Sequence, residues 1–279
     1  MSRIAVVGSI NFDVILQLDV PLDRHFKRRA AFRAEAVGGS AANTARWLAA
    51  DGHAVTLYSS VGSDDVGSYC LNQLSLAGIE VEHVMRVPGS TSSAVCITSP
   101  VDKVIITHHD GDSEDTAVEV RGSSGFDHVH IAARDHNKQA AGLLRDRHPE
   151  STVSLELNGR RSSLFARHAD VIFSNADDLR VQQLNVHVAS RLLSDIGATS
   201  GACLVLTNGP KGSVCLPPDK QLVTVPAETA TRIVDRTGAG DAFNAGFLTE
   251  WLKNEPVQGC LRRGQSFAAD CIGRVGGGP

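Results

Sequence analysis

Residues 37–62 read VGGSAANTARWLAADGHAVTLYSSVG, a glycine pair followed by a helical pattern and then a strand. Ala41, Ala45, Leu48 and Ala49 fall at helical spacing, and Gly52 stops the run. Residues 54–62 continue as an apolar run closed by Gly62. The plan recurs along the chain. RIAVVGSI (3–10), HVHIAA (128–133), TVSLEL (152–157), DVIFSN (170–175) and CLVLTNG (203–209) are apolar runs with polar or glycine stops. GSYCLNQLSLAGI (67–79) repeats the helical pattern through Leu71, Leu74 and Ala77. Such alternation predicts an α/β fold: a doubly wound, mostly parallel sheet in a three-layer α/β/α sandwich, with ligands beyond the carboxyl ends of the strands.

Two stretches break the rhythm. Residues from about 14 to 37 and from about 91 to 109 read as strand pairs, with turns at Pro21 to Asp23 and at Ser99 to Asp102. The expectation is one domain over residues 1–279, with these insertions forming a small β-strand lid over the strand ends.

Composition narrows the partners. The chain has 279 residues, 42% hydrophobic and 21% charged, enough for a sizeable core. A net charge of −4 argues against a nucleic-acid or anionic-membrane surface. The one basic cluster, Lys27-Arg28-Arg29 with Arg24 and Arg33 nearby, reads as a solvated loop face, or alternatively as a gate that attracts anions. No apolar run approaches the ~20 residues needed to span a bilayer, and the apolar start is too short for a signal-peptide core. The six cysteines are scattered without a Cys-x-x-Cys pair. A cytoplasmic, reduced protein without structural zinc is expected.

The chemistry concentrates at IVDRTGAGDAFNAGFL, 233–248. No G-x-x-x-x-G-K-[ST] phosphate loop occurs in the chain, and Phe243 breaks the dinucleotide fingerprint G-x-G-x-x-G. What remains is Gly238-Ala239-Gly240 opening an amphipathic helix, with Phe243, Phe247, Leu248, Trp251 and Leu252 on its buried side. The first amides of a helix lack intrahelical partners and the macrodipole adds positive charge, which suits a phosphoryl group in transfer. Asp241 then orients the attacking hydroxyl and accepts its proton. The bland alternative is an acidic N-cap. Gly38-Gly39 with Asn43, and Asn11 with Asp13 at period-2 spacing, add groups suited to sugar hydroxyls. His108-His109-Asp110 looks like a metal cluster, but neighbours on a strand point to opposite faces, so a role at the lid tip is preferred.

These segments resemble the two signatures of the ribokinase-like (PfkB) carbohydrate kinases. Gly38-Gly39 with Asn43 matches the first, and Asp235-x-Thr237-Gly238-Ala239-Gly240-Asp241 with Phe243 the second. Asn11-x-Asp13 matches the family's N-terminal sugar contact, SNADD its Asn-x-x-Glu motif through Asn175, and LTNGPKGSV its nucleotide loop. Order and spacing hold from residue 4 to about 276. The resemblance implies transfer of the γ-phosphate of ATP, with Mg²⁺, to a hydroxyl of a sugar or nucleoside. The expected acceptor is a primary hydroxyl of a furanose-type sugar of the fructose or ribose class.

It further implies Asp241 as base, Gly238, Ala239 and Gly240 as anion hole, and Asn11, Asp13, Gly38, Gly39 and Asn43 around the acceptor. Asn175, Thr207, Gly209 and Gly212 fall near ATP. Asp178, in place of the family's glutamate, is expected to hold Mg²⁺ through water, and Asp235 to belong to a K⁺ site. Arg236, Ser40 and Arg134 depart from the ribokinase pattern, and VHIAA, VSLELNGRR and ADVIFSN look closer to ketohexokinases. Gln265 is the candidate for a thin adenine wall. A nucleoside kinase with Phe12 or Phe32 in a base pocket, and a catalytically silent binding regulator, are the alternatives. Exposed lid edges invite a homodimer.

Overall fold

In the first strand, β1 (Arg3–Val7), Ile4 and Val6 face one side and Ala5 and Val7 the other, and all four are buried. A strand covered on both faces belongs to a parallel sheet flanked by helices. The computed structural model describes every residue except 22–26, 100–102, 109–124, 136, 147, 161–162, 182–184, 200 and 220. After β1 come β2 (Asn11–Gln17), β3 (Phe32–Gly38), α1 (Ser40–Ala50), β4 (Ala54–Gly62), α2 (Asp65–Leu76), β5 (Ile79–Glu80) and β6 (Val84–Val87). The middle of the chain gives β7 (Ser93–Thr98), β8 (Lys103–His108), β9 (His128–Ile131), α3 (Lys138–Asp146), β10 (Thr152–Glu156) and β11 (Val171–Asn175). The last third holds α4 (Val186–Ile196), β12 (Cys203–Thr207), β13 (Ser213–Leu216), β14 (Val223–Val225), α5 (Ala239–Trp251) and α6 (Val257–Ile272).

The main sheet runs β14-β13-β12-β11-β10-β9-β1-β4, with β5 and β6 both along β4. Only the pairs β12–β13 and β13–β14 are antiparallel in it. One face packs under α1, α2, α5 and α6, the other under α3 and α4, which makes the three layers. The fold is therefore the doubly wound α/β sandwich. The antiparallel strands β13 and β14 and the short β5 and β6 were not foreseen, because runs of two to four residues carry too little periodicity.

A second sheet, β3-β2-β7-β8, stands apart with its own small core of Ile15, Ala94 and Cys96. Hairpin pairs β2–β3 and β7–β8 are antiparallel and joined by the parallel pair β2–β7. It begins at Asn11 rather than near residue 14, so Asn11 and Asp13 lie within its first strand. The turns expected at Pro21–Asp23 and Ser99–Asp102 fall largely outside the described residues, as do Arg24, His109 and Asp110. Lys27, Arg28 and Arg29 are exposed, and His108 ends β8 opposite Ser93. All six cysteines are buried free thiols.

α5 departs from the amphipathic reading. Every residue from Asp241 to Thr249 is buried. A helix buried all round sits in the interior of the layer, here between the sheet, α1 and α6.

Candidate active site

Two helices begin at the carboxyl ends of the strands on glycines, with no side chain capping them. α1 starts at Gly39 (φ 96°) and α5 at Gly238 (φ 76°), a backbone region that suits glycine. The amides of Ala239 and Gly240 therefore stand in the first turn of a 13-residue helix, where the helix itself offers no acceptor. A Cβ added at Gly240 would meet nothing within 4 Å, so open space lies over that turn. At Gly238 the same atom would fall 2.4 Å from the Gly277 Cα. The glycine tail, which reads as low complexity, is thus a packed part of this wall. Gly277 also accepts a hydrogen bond from the Trp47 indole at 2.9 Å.

Asp241 is 9% exposed, and its Oδ2 accepts a hydrogen bond from Asn43 Nδ2 at 2.8 Å. The structure thereby joins two segments 198 residues apart in sequence. Asn43 is buried, and its Oδ1 has no hydrogen-bond partner. Asp13 is buried too, its carboxylate lying where a Cβ on Gly38 would stand, 1.9 Å from Oδ2. Gly38 pairs with Asn11, whose Oδ1 is another buried acceptor without a partner. Asn11, Asp13, Gly38, Gly39 and Asn43 therefore gather beside Asp241. Unsatisfied buried acceptors are rare and costly, and these two could accept from donors such as hydroxyls.

Asn175 and Thr207 are partners in register at the ends of β11 and β12, and Asn175 Nδ2 donates to Thr207 Oγ1 at 3.4 Å. Gly209 is exposed at the start of the turn that follows. Gly212 is buried, with β14 so close that a Cβ would lie 2.1 Å from the Val225 carbonyl. That glycine serves the approach of two strands rather than an open surface. Asp178 is exposed just after β11, Arg134 and Arg236 are exposed, and Gln265 is buried on α6.

Asp235 is buried and engaged by the chain on both oxygens. Oδ1 accepts from Thr237 N at 2.9 Å and Thr237 Oγ1 at 2.7 Å, and Oδ2 from Gly276 N at 3.1 Å. The carboxylate ties the approach to α5 onto the C-terminal glycines. A K⁺ site there would have to share those oxygens.

Sequence reasoning missed Glu156. It ends β10, between the two groups just described, and its Oε2 accepts from Asn244 Nδ2 at 2.6 Å. Burial pushes its carboxyl up to about 7, against the pull of Arg160 and the Asn244 bond, while Asp178 adds to the rise. An acid closing a largely buried strand was the available signal. Deeper along the same face, Ser154 Oγ bridges His128 Nε2 and His130 Nδ1, both at 2.7 Å. Burial holds these histidines down, to about 3 and about 4.

The model of the pfkB family carbohydrate kinases matches residues 1–279. An ATP-dependent ribose-1-phosphate kinase of Halopiger xanaduensis is 28% identical over 289 residues, covering 99% of this chain and 94% of that protein. The ketohexokinase of Mus musculus is 26% identical, covering 98% and 97%. The structure of Arabidopsis thaliana ribokinase complexed with ribose and ATP has the same fold, with a TM-score of 0.80 at 19% identity and coverage of 99% and 94%.

Proposed function

Since the chain belongs to the pfkB family of carbohydrate kinases, and is by that membership a phosphotransferase acting on a sugar hydroxyl, we propose that it moves the γ-phosphate of ATP to a primary hydroxyl of a furanose-type sugar of the fructose or ribose class. The observation that carries this reading is the Asn43–Asp241 contact at the mouth of an uncapped helix.

The sugar lies against Asn11, Asp13, Gly38, Gly39 and Asn43, its hydroxyls donating to the buried carboxamide oxygens. Asp241 orients the attacking hydroxyl and takes its proton as the O–P bond forms. The amides at Gly238–Gly240 face the equatorial oxygens, where charge accumulates in the transition state. ATP extends toward Asn175, Thr207, Gly209 and Gly212. Asp178, an exposed carboxylate, fits an outer contact to a hydrated Mg²⁺. Magnesium supplies charge neutralisation of the phosphates when bound. K⁺ near Asp235 is a secondary expectation.

The second sheet is proposed as the lid of a single catalytic domain, and as the surface of a homodimer. Its edge strand β8 exposes Val104, Ile105 and Ile106. The cytoplasm is the proposed compartment; no helix among the described residues is long and apolar enough to cross a membrane.

A nucleoside acceptor is less well supported. The Phe12 ring is engaged edge-on with Tyr69 at 5.8 Å. Phe32 pairs with Gln17, six positions along the ladder from the Asn11–Gly38 pair, roughly 20 Å at 3.4 Å per residue. The test is ADP release against ribose, ribose 1-phosphate, fructose, aldohexoses and nucleosides, with and without K⁺. Turnover confined to nucleosides overturns the sugar assignment.

A further inference from the structure

Three residues on the buried stretch of α5 are polar, and each reaches a different element. Asp241 meets Asn43 on α1, Asn244 meets Glu156 at the end of β10, and the Thr249 hydroxyl lies 3.3 Å from His53 Nε2. Rotating or sliding the helix would leave these groups buried and unsatisfied, so together they set its azimuth and register. The middle contact stands closest to the proposed chemistry. Asn244 is 2% exposed and follows Asp241 by three positions, so both lie on one helical face. Glu156 stands on a strand paired on both sides, a rigid support.

We propose that Glu156 is a positioning residue for phosphoryl transfer: through Asn244 it fixes the first turn of α5, and with it the direction in which Asp241 and the neighbouring amides face. The inference rests on reading Asp241 as the base. The charged groups around Glu156 are Arg160, four residues on and donating to the Glu156 backbone carbonyl at 3.0 Å, and Asp178 from the loop after β11. α5 offers the neutral Asn244, with Asp241 one turn earlier, and β9 carries His130, kept neutral by burial. Packing alone does not account for an acid here. A well-fitted apolar side chain would hold α5 without the cost of a carboxylate under a helix and beside Asp178. What the ionised acid adds is a choice of amide end: a carboxylate only accepts, so Asn244 must turn Nδ2 toward it.

Glu156→Gln is expected to lower kcat by about tenfold while KM for sugar and ATP stays within about twofold, because the lost interaction acts on the transition state. Its melting temperature at pH 8 should be unchanged or raised. A role in stability alone predicts the reverse: a lower melting temperature with kcat intact. Asn244→Asp sets two carboxylates in contact and should cost about 100-fold in kcat; adding Glu156→Gln supplies a donor and should recover about tenfold. A Glu156→Gln enzyme with wild-type kcat, one that fails to fold, or a double variant no better than Asn244→Asp overturns the proposal. Where Asn244→Asp does not fold, the Glu156→Gln result decides. An inactive Asp241→Asn beside a fully active Glu156→Gln would reject this inference alone. An active Asp241→Asn would reject the base.

Discussion

The starts of α2 and α5 each carry an aspartate, placed differently. Asp64 is the N-cap of α2, and its carboxylate accepts from Gly67 N at 2.8 Å, Thr91 N at 2.9 Å and Thr91 Oγ1 at 2.6 Å. Burial alone would raise its carboxyl, but these bonds outweigh it and hold the group below the usual range. Asp241 stands three positions inside α5, after a glycine N-cap, and no side chain caps that helix. The first acid takes up one helix amide and ties the helix start to Thr91. The second is not the N-cap of its helix, and its carboxylate meets Asn43 on another helix. An acid at the N-cap and one three positions inside the helix therefore meet different partners, and Asp241 is not the cap that the bland reading of the sequence expected.

The contrast is most easily broken at the acids themselves. Asp241→Asn should lower kcat by roughly 10³-fold or more, with nucleotide affinity and melting temperature nearly unchanged. Asp64→Ala should do the opposite, costing about 1–2 kcal/mol of stability with kcat retained. Thermal melts beside steady-state ADP release read both, and equal activity losses would erase the distinction. The glycines sharpen it. Gly240→Ala adds a methyl group in open space, so the fold should hold while kcat/KM falls by about 100-fold as the phosphate is obstructed. Gly238→Ala meets Gly277 from a left-handed backbone, and should lower the melting temperature as well.

A third test separates the two ends of α5. His128 and His130, toward its far end, have folded pKa values depressed from 6.5 to about 3 and about 4. Groups held neutral by the fold contribute stability that is complete above about pH 6.5 and lost as pH falls toward the folded values, each ring losing about 1.4 kcal/mol per unit. Unfolding free energy should decline through that window in denaturant titrations; a flat profile would mean the core accommodates the protonated rings. The smallest effect is expected at Asp178→Ala, whose exposed side chain leaves the fold alone and should raise the Mg²⁺ needed for half-maximal rate about threefold. An unchanged magnesium titration would place the metal elsewhere.

Much of this was legible because strands of five or more residues and glycine-led helices leave local marks. Ile4 and Val6 against Ala5 and Val7 already imply a strand covered on both faces, and Gly238-Ala239-Gly240 already implies amides open to an anion. Other features leave no local mark. Glu156 differs from a surface acid only because α5 crosses over it, and Gly212 reads as part of a nucleotide loop although its lack of a side chain serves β14. The amphipathic pattern assigned to α5 missed its burial all round, since Ala242, Ala245 and Gly246 can face either solvent or a neighbouring helix.

By itself the chain's order of residues determined the layered α/β plan, the glycine-led start of α5 and the family, since each is carried by short motifs and by their order along the chain. Tertiary structure alone decided that Asn43 meets Asp241, that the terminal glycines wall the site and that Glu156 steadies α5. The first and last of those contacts join segments 198 and 88 residues apart, and the glycine wall brings Gly277 back onto Gly238. Their energetics come from burial and geometry, which no local pattern of residue types records.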